Sequence, residues 1–82
     1  MIRKPISFPG YAPLTRALAA EVVQVASAYQ SRVMIQRGQK IVNAKSMLGL
    51  LSLGADDQQG MLLVAEGVDE EAAVEAVLAV LA

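Results

Sequence analysis

The sequence predicts an α+β two-layer sandwich, with elements in the order β-α-β-β-α-β-α. Three observations carry this reading. Two alternating segments, Arg32–Gln36 and Lys40–Asn43, flank Arg37-Gly38-Gln39 and read as a hairpin with glycine in its loop. Apolar residues recur at helical spacing over residues 15–28 and 69–81. Met61-Leu62-Leu63-Val64-Ala65 is a continuous apolar run, the mark of a strand lying inside a sheet. Four strands and three helices within 82 residues pack as one domain, residues 1–82, whose antiparallel or mixed sheet carries helices on one face.

In chain order, Ile2, Ile6 and Phe8 fall on one face at even spacing, so residues 2–8 read as a strand. Pro5 places that strand at the sheet edge, where a missing N–H is tolerated. Pro9-Gly10-Tyr11-Ala12-Pro13 reads as a loop. Thr15 is a plausible N-cap for a helix running to about Ala28, with Leu18, Val22, Val25, Ala26 and Tyr29 as its inward stripe. Val33 and Ile35 point inward from the second strand. A short helix follows Ser46, then a polar loop from Gly54 to Gly60. Gly67 ends the apolar strand, and Asp69 caps the last helix, with Glu70 and Glu71 at its positive end. Val74, Val77, Leu78 and Leu81 supply that helix's inward stripe.

Composition excludes several chemistries. With no cysteine there is neither a disulfide nor a thiolate, which fits a cytoplasmic protein. With no histidine there is no Ser-His or Cys-His nucleophile pair, no imidazole base and no phosphohistidine. Asp56-Asp57-Gln58-Gln59-Gly60 lacks the alternating oxygen ligands and distal glutamate of a calcium loop, so no metal site and no cofactor is expected. No apolar run approaches the ~20 residues of a membrane span, and no signal-peptide pattern opens the chain. The expectation is a soluble, non-enzymatic protein.

Charge is lopsided along the chain. All seven basic residues (Arg3, Lys4, Arg16, Arg32, Arg37, Lys40, Lys45) precede residue 46, where Glu21 is the only acid; the other seven acids follow it. That segregation suggests a basic surface for an acidic or phosphorylated partner, although folding can interleave the two halves. Direct nucleic-acid binding lacks a supporting motif, and only Phe8, Tyr11 and Tyr29 could stack on bases. Arg16 falls in a helical first turn, where a cation is disfavoured by ~0.3–1 kcal/mol, a weak hint of an external anion.

The segment Lys40–Leu53 concentrates the remaining signal. Ser46 suits a helix N-cap, because its hydroxyl can accept from a backbone N–H that is otherwise unpaired. The same position suits a phosphate, with Lys45 adding a positive charge beside it. Met47, Leu48, Leu50, Leu51 and Leu53 spread around most of the helix circumference. If Leu50 and Leu53 face inward, then Met47, Leu48 and Leu51 lie near the surface as a docking patch. A plain capped core helix explains the same spacing without any modification.

Taken together, Lys40–Leu53, Gln24–Tyr29 and Ala65–Ala72 resemble the HPr family, the small phosphocarriers of the bacterial sugar phosphotransferase system. The resemblance extends from about Ile6 to Leu81 and implies an open-faced β-sandwich, a four-stranded antiparallel sheet covered on one face by three helices. The family's Gly-Leu-His-Ala-Arg-Pro-Ala segment aligns with Pro13–Ala19, which puts Thr15 at the phosphoryl-accepting histidine and Ala17 at the arginine. A threonine hydroxyl cannot form the labile N–P bond of a reversible relay, and Arg16 sits one place early. The chain is similar to the catabolite-repression HPr-like subgroup, which keeps the regulatory serine and lacks the histidine. By that resemblance Ser46 is the phosphorylation site of HPr kinase/phosphorylase. Lys45, Met47, Leu48, Leu51 and Arg16, singled out by charge and spacing, are then read as the partner-binding residues, and the partner implied by the resemblance is a LacI-type catabolite regulator. The alternative is a degenerate paralogue that docks, unphosphorylated, on a phosphotransferase-system or other protein as a decoy. An edge strand and an apolar patch permit dimerisation without requiring it.

Overall fold

The computed structural model describes residues 1–7, 15–53 and 61–81. Its elements are β1 (Ile2–Pro5), α1 (Arg16–Ser27), β2 (Arg32–Arg37), β3 (Lys40–Asn43), α2 (Met47–Leu51), β4 (Met61–Glu66) and α3 (Glu70–Leu81). Phe8 and the segments expected as loops, Pro9–Pro13 and Gly54–Gly60, lie outside the described residues.

The strands form one sheet in the order β1-β4-β2-β3, and every neighbouring pair is antiparallel. The hairpin turns at Gly38-Gln39, between the paired residues Arg37 and Lys40. Gly38 adopts φ 60°, a left-handed conformation open to glycine without a steric penalty. β1 is an edge strand, as its proline requires, and β4 lies between β1 and β2, as its apolar run predicts.

The helices share one face of the sheet, and the core lies between the two layers. Val33 and Ile35 from β2, Met61, Leu63 and Ala65 from β4, and Val42 from β3 meet Leu50, Leu53, Val74, Val77 and Leu81 there. The Thr15 cap forms as expected, with its Oγ1 accepting from Leu18 N at 3.1 Å. The inward stripe of α1 differs from the expected one. Ala19, Val22 and Ala26 are fully buried, whereas Leu18, Val25 and Tyr29 are half-buried at its margins. Small residues take the closest approach because α1 packs against α3, and longer side chains would hold the two helices apart.

Asp69 does not direct its carboxylate into its own helix as expected. Its backbone carbonyl opens α3 by accepting from Ala73 N at 3.0 Å, but the side chain crosses to the α1–β2 connection. There Oδ2 accepts from Gln30 N at 2.9 Å, while Oδ1 accepts from Ser31 N at 2.8 Å and from the Ser31 hydroxyl. Those donors, the Ser31 hydroxyl foremost, hold the Asp69 carboxyl below its ordinary pKa. Ser31 is buried, and Gly67 approaches it so closely that a Cβ on Gly67 would stand 2.6 Å from Ser31 Cα. Tertiary hydrogen bonds outcompete the local cap because Gln30 and Ser31 present two N–H groups to one carboxylate.

The charge segregation of the sequence disappears in space. Antiparallel pairing sets Arg32 opposite Glu66, and Lys4 lies on the helix side of β1 beside Glu71 and Glu75. The basic and acidic halves of the chain therefore interleave.

Candidate functional site

The β3–α2 corner is built by three short-range interactions. Asn43 Oδ1 accepts from Lys45 N at 2.8 Å and Asn43 O accepts from Ser46 N at 3.0 Å, which turns the chain sharply out of β3. Ala44 is fully buried, and its N–H bonds to Val33 O at 2.8 Å, so the turn is anchored to β2. Ser46 then takes extended dihedrals (φ −117°, ψ 119°), and its Oγ accepts from Gly49 N at 3.1 Å. This is the N-cap arrangement expected from the sequence, and it leaves the hydroxyl proton uncommitted to the cap.

Behind the cap, Leu50 and Leu53 are buried, the arrangement the sequence left as a condition. Leu48 is 82 % exposed and Leu51 37 %, while Met47 is half-buried against the core. The far end of α2 is tied down by Ser52 Oγ, which donates to Gly49 O at 2.6 Å, and by Lys40 Nζ, which donates to Ser52 O. A helix of five residues is too short to persist alone, so these ties and the two buried leucines hold the exposed pair in place.

Lys45 is positioned otherwise than a phosphate-facing cation would be. Its ammonium donates to Tyr29 O at 2.8 Å, just beyond the C-terminal end of α1, where carbonyls carry partial negative charge. Thr15 and Arg16 are exposed at the opposite end of α1. Neither makes a hydrogen bond or ion pair with the β3–α2 segment among the described residues. Lys45, Ser46, Met47, Leu48 and Leu51 thus share the β3–α2 segment, whereas Arg16 lies on a separate helix.

Two residues of the corner were missed by sequence reasoning. A Cβ on Gly49 would stand 3.3 Å from Asn43 O and 3.4 Å from both Ser46 Cβ and Oγ, so glycine keeps the space beside the serine open. A glycine inside an apolar helix, at a cost of about 1 kcal/mol, was the available signal. Asn43 sits two residues before a backbone N–H that it can bind, which is an Asx-turn signal. The Tyr29 carbonyl gave no signal at all.

Among the described residues no group of histidine, cysteine, aspartate or glutamate could hold a metal ion, and no helix is long and apolar enough to cross a membrane. A four-stranded antiparallel sheet under three helices, with a capped serine opening an exposed apolar turn, defines a phosphocarrier-type open-faced sandwich. The family comparison agrees: the model for the HPr component of the phosphotransferase system, describing its phosphorylation site, matches residues 14–82. The chain belongs to the HPr family. It is 37 % identical to the HPr-like protein Crh of Halalkalibacterium halodurans over 79 residues, 96 % of this chain and 94 % of that protein. The phosphocarrier protein HPr of Bacillus anthracis superposes with a TM-score of 0.81 at 31 % identity, covering 99 % of this chain and 96 % of that one. Crh of Bacillus subtilis, a domain-swapped dimer in its crystal structure, gives 0.76 at 33 % identity, covering 99 % and 93 %.

Proposed function

We propose that this chain is a regulatory, non-enzymatic member of the HPr family that acts in carbon catabolite regulation in the cytoplasm. Ser46 is the residue phosphorylated by an HPr kinase, and the phosphorylated form binds a LacI-type regulator. Phosphocarrier relay is excluded by chemistry, since the chain has no histidine and Thr15 stands at the family's accepting position. The observation that carries the reading is the pairing of a capping serine with an 82 % exposed leucine two residues on. A phosphate would add roughly −1.5 to −2 charge beside that leucine, so one partner groove can read charge and apolar surface together.

A second reading has its own support. Leu48 and Leu51 are exposed beside the Ser46 cap, and the Lys45 ammonium is engaged by Tyr29 O. The patch is therefore presented by the fold itself and would serve a constitutive docking or decoy role on a phosphotransferase-system protein.

Intact-mass spectrometry after incubation with HPr kinase and ATP, and separately with enzyme I and phosphoenolpyruvate, separates the two. One phosphate from the kinase, absent in Ser46→Ala, together with regulator binding that requires it, supports the switch. No phosphate from either enzyme, with Leu48-dependent binding retained, supports constitutive docking. Ser46→Ala also removes the cap and costs ~1 kcal/mol, so Ser46→Asp, which keeps an acceptor at the cap, is the folding control.

A further inference from the structure

Half of the strand residues on the face of the sheet turned away from the helices are apolar. Alternation along the strands assigns Arg3, Pro5, Arg32, Met34, Gln36, Ile41, Asn43, Leu62, Val64 and Glu66 to it, and cross-strand pairing arranges them in three rows. The first row pairs Arg32 with Glu66. The second runs Arg3–Val64–Met34–Asn43, and the third Pro5–Leu62–Gln36–Ile41. No described element covers this face. An antiparallel sheet with one solvated face ordinarily alternates apolar-in with polar-out, and β4 does not. Val64, on a central strand, is only 6 % exposed, while Ile41 on the edge strand is 57 % exposed.

We infer that this helix-free face is a self-association surface that pairs two copies of the chain about a two-fold axis parallel to the strands. The argument is register. Such an axis preserves the height of each row and reverses the strand order, so β2 of one copy lies over β4 of the other and β3 over β1. Arg32 then meets Glu66 of the second copy, twice by symmetry. Val64 meets Met34, and Ile41 meets Pro5, while Leu62 lies over the aliphatic stem of Gln36. Within one chain Arg32 and Glu66 make no ion pair among the described residues, so both charges are available to the second copy. The one acid on the face thus falls on a base, and the apolar positions fall largely on one another. Two antiparallel sheets stacked with their strands within about 30° of each other are an ordinary packing.

The size of the face sets the strength. Four strands about 4.8 Å apart and three rows give roughly 19 Å by 20 Å, on the order of 400 Å² per copy. That is about half of what a stable complex buries per partner. The dimer is therefore weak and reversible. It differs from a swapped dimer, in which two copies exchange an identical element.

Sedimentation velocity from about 0.02 to 1 mM protein at low salt tests the inference, a range suited to a weak, reversible dimer. The wild type shifts toward twice the monomer mass as concentration rises. Arg32→Glu sets acid against acid at two symmetric points and weakens association by about tenfold, two exposed pairs of modest worth each. The double variant Arg32→Glu/Glu66→Arg restores it, and Ile41→Thr/Leu62→Thr abolishes it; circular dichroism verifies that each variant is folded. On dilution, NMR shifts move at Met34, Ile41, Leu62 and Val64 and stay fixed in α2. A wild type that is monomeric at the highest concentration overturns the inference. So does a dimer indifferent to both charge and apolar substitutions, or one whose dilution shifts fall on α2 or on the β1–β4 backbone pairing.

Discussion

Gly67→Ala probes the tightest point of the fold. Gly67 sits at φ 153°, in a region open in practice only to glycine. Its position for a Cβ is 2.6 Å from Ser31 Cα and Oγ and 2.9 Å from Ser31 Cβ. Carbon atoms in contact stand about 3.5–4.0 Å apart, so the two segments must separate by about 1 Å. Ser31 cannot retreat freely, because it is buried and both its N–H and its hydroxyl are held by Asp69. Backbone strain alone is worth ~1–3 kcal/mol, and the displaced contact adds to it, so about 3 kcal/mol is expected. A domain of 82 residues has roughly 4–12 kcal/mol in total, so the loss is a large share. The assay is thermal and urea unfolding by circular dichroism, with a Tm drop of roughly 12–24 °C expected. Ser31→Gly in the same background removes the Oγ and Cβ contacts, so the double variant should cost less than the sum of the single ones. A Gly67→Ala loss below about 1 kcal/mol would refute the claim that strain and contact at this junction are real.

Three further outcomes are expected. The Asp69 carboxyl titrates below its ordinary value of 3.8, so its charged form is favoured by folding. Its contribution is present at neutral pH and is lost as pH falls below 3.8 and through the folded-state value; Asp69→Asn should flatten urea midpoints across that acid window. Leu50→Ala empties a site that is 1 % exposed and should cost ~2–5 kcal/mol in urea unfolding. Leu48→Ala, two residues earlier and exposed, should stay within about 0.5 kcal/mol while weakening partner binding, and equal losses for the pair would deny the division of α2 into core and docking faces.

Much of this architecture was legible because it rests on local rules. Alternation fixed Val33 and Ile35 as core, a proline marked β1 as an edge, and continuous apolarity placed β4 centrally. The Ser46 and Thr15 caps followed from residue type and position, since a cap bond spans only three residues. Helical spacing left open which leucines of α2 face inward, and burial separates Leu50 and Leu53 from Leu48 and Leu51. Reading failed where a side chain had a choice of partners. Asp69 and Lys45 both satisfied their local rule on paper and both reached across to the end of α1, 38 and 16 residues away.

By itself, then, the amino-acid order determined the element types, the helix starts, the absence of histidine chemistry and the candidacy of Ser46, all set by neighbours along the chain. Tertiary structure alone decided three other matters. It sent Asp69 and Lys45 to distant carbonyl and amide groups, because a charged side chain takes whichever partners the folded backbone concentrates near it. It interleaved the basic and acidic halves, because antiparallel pairing brings distant segments side by side. And, among the described residues, it left the second face of an apolar strand without a covering element, since the three helices lie over the other face of the sheet.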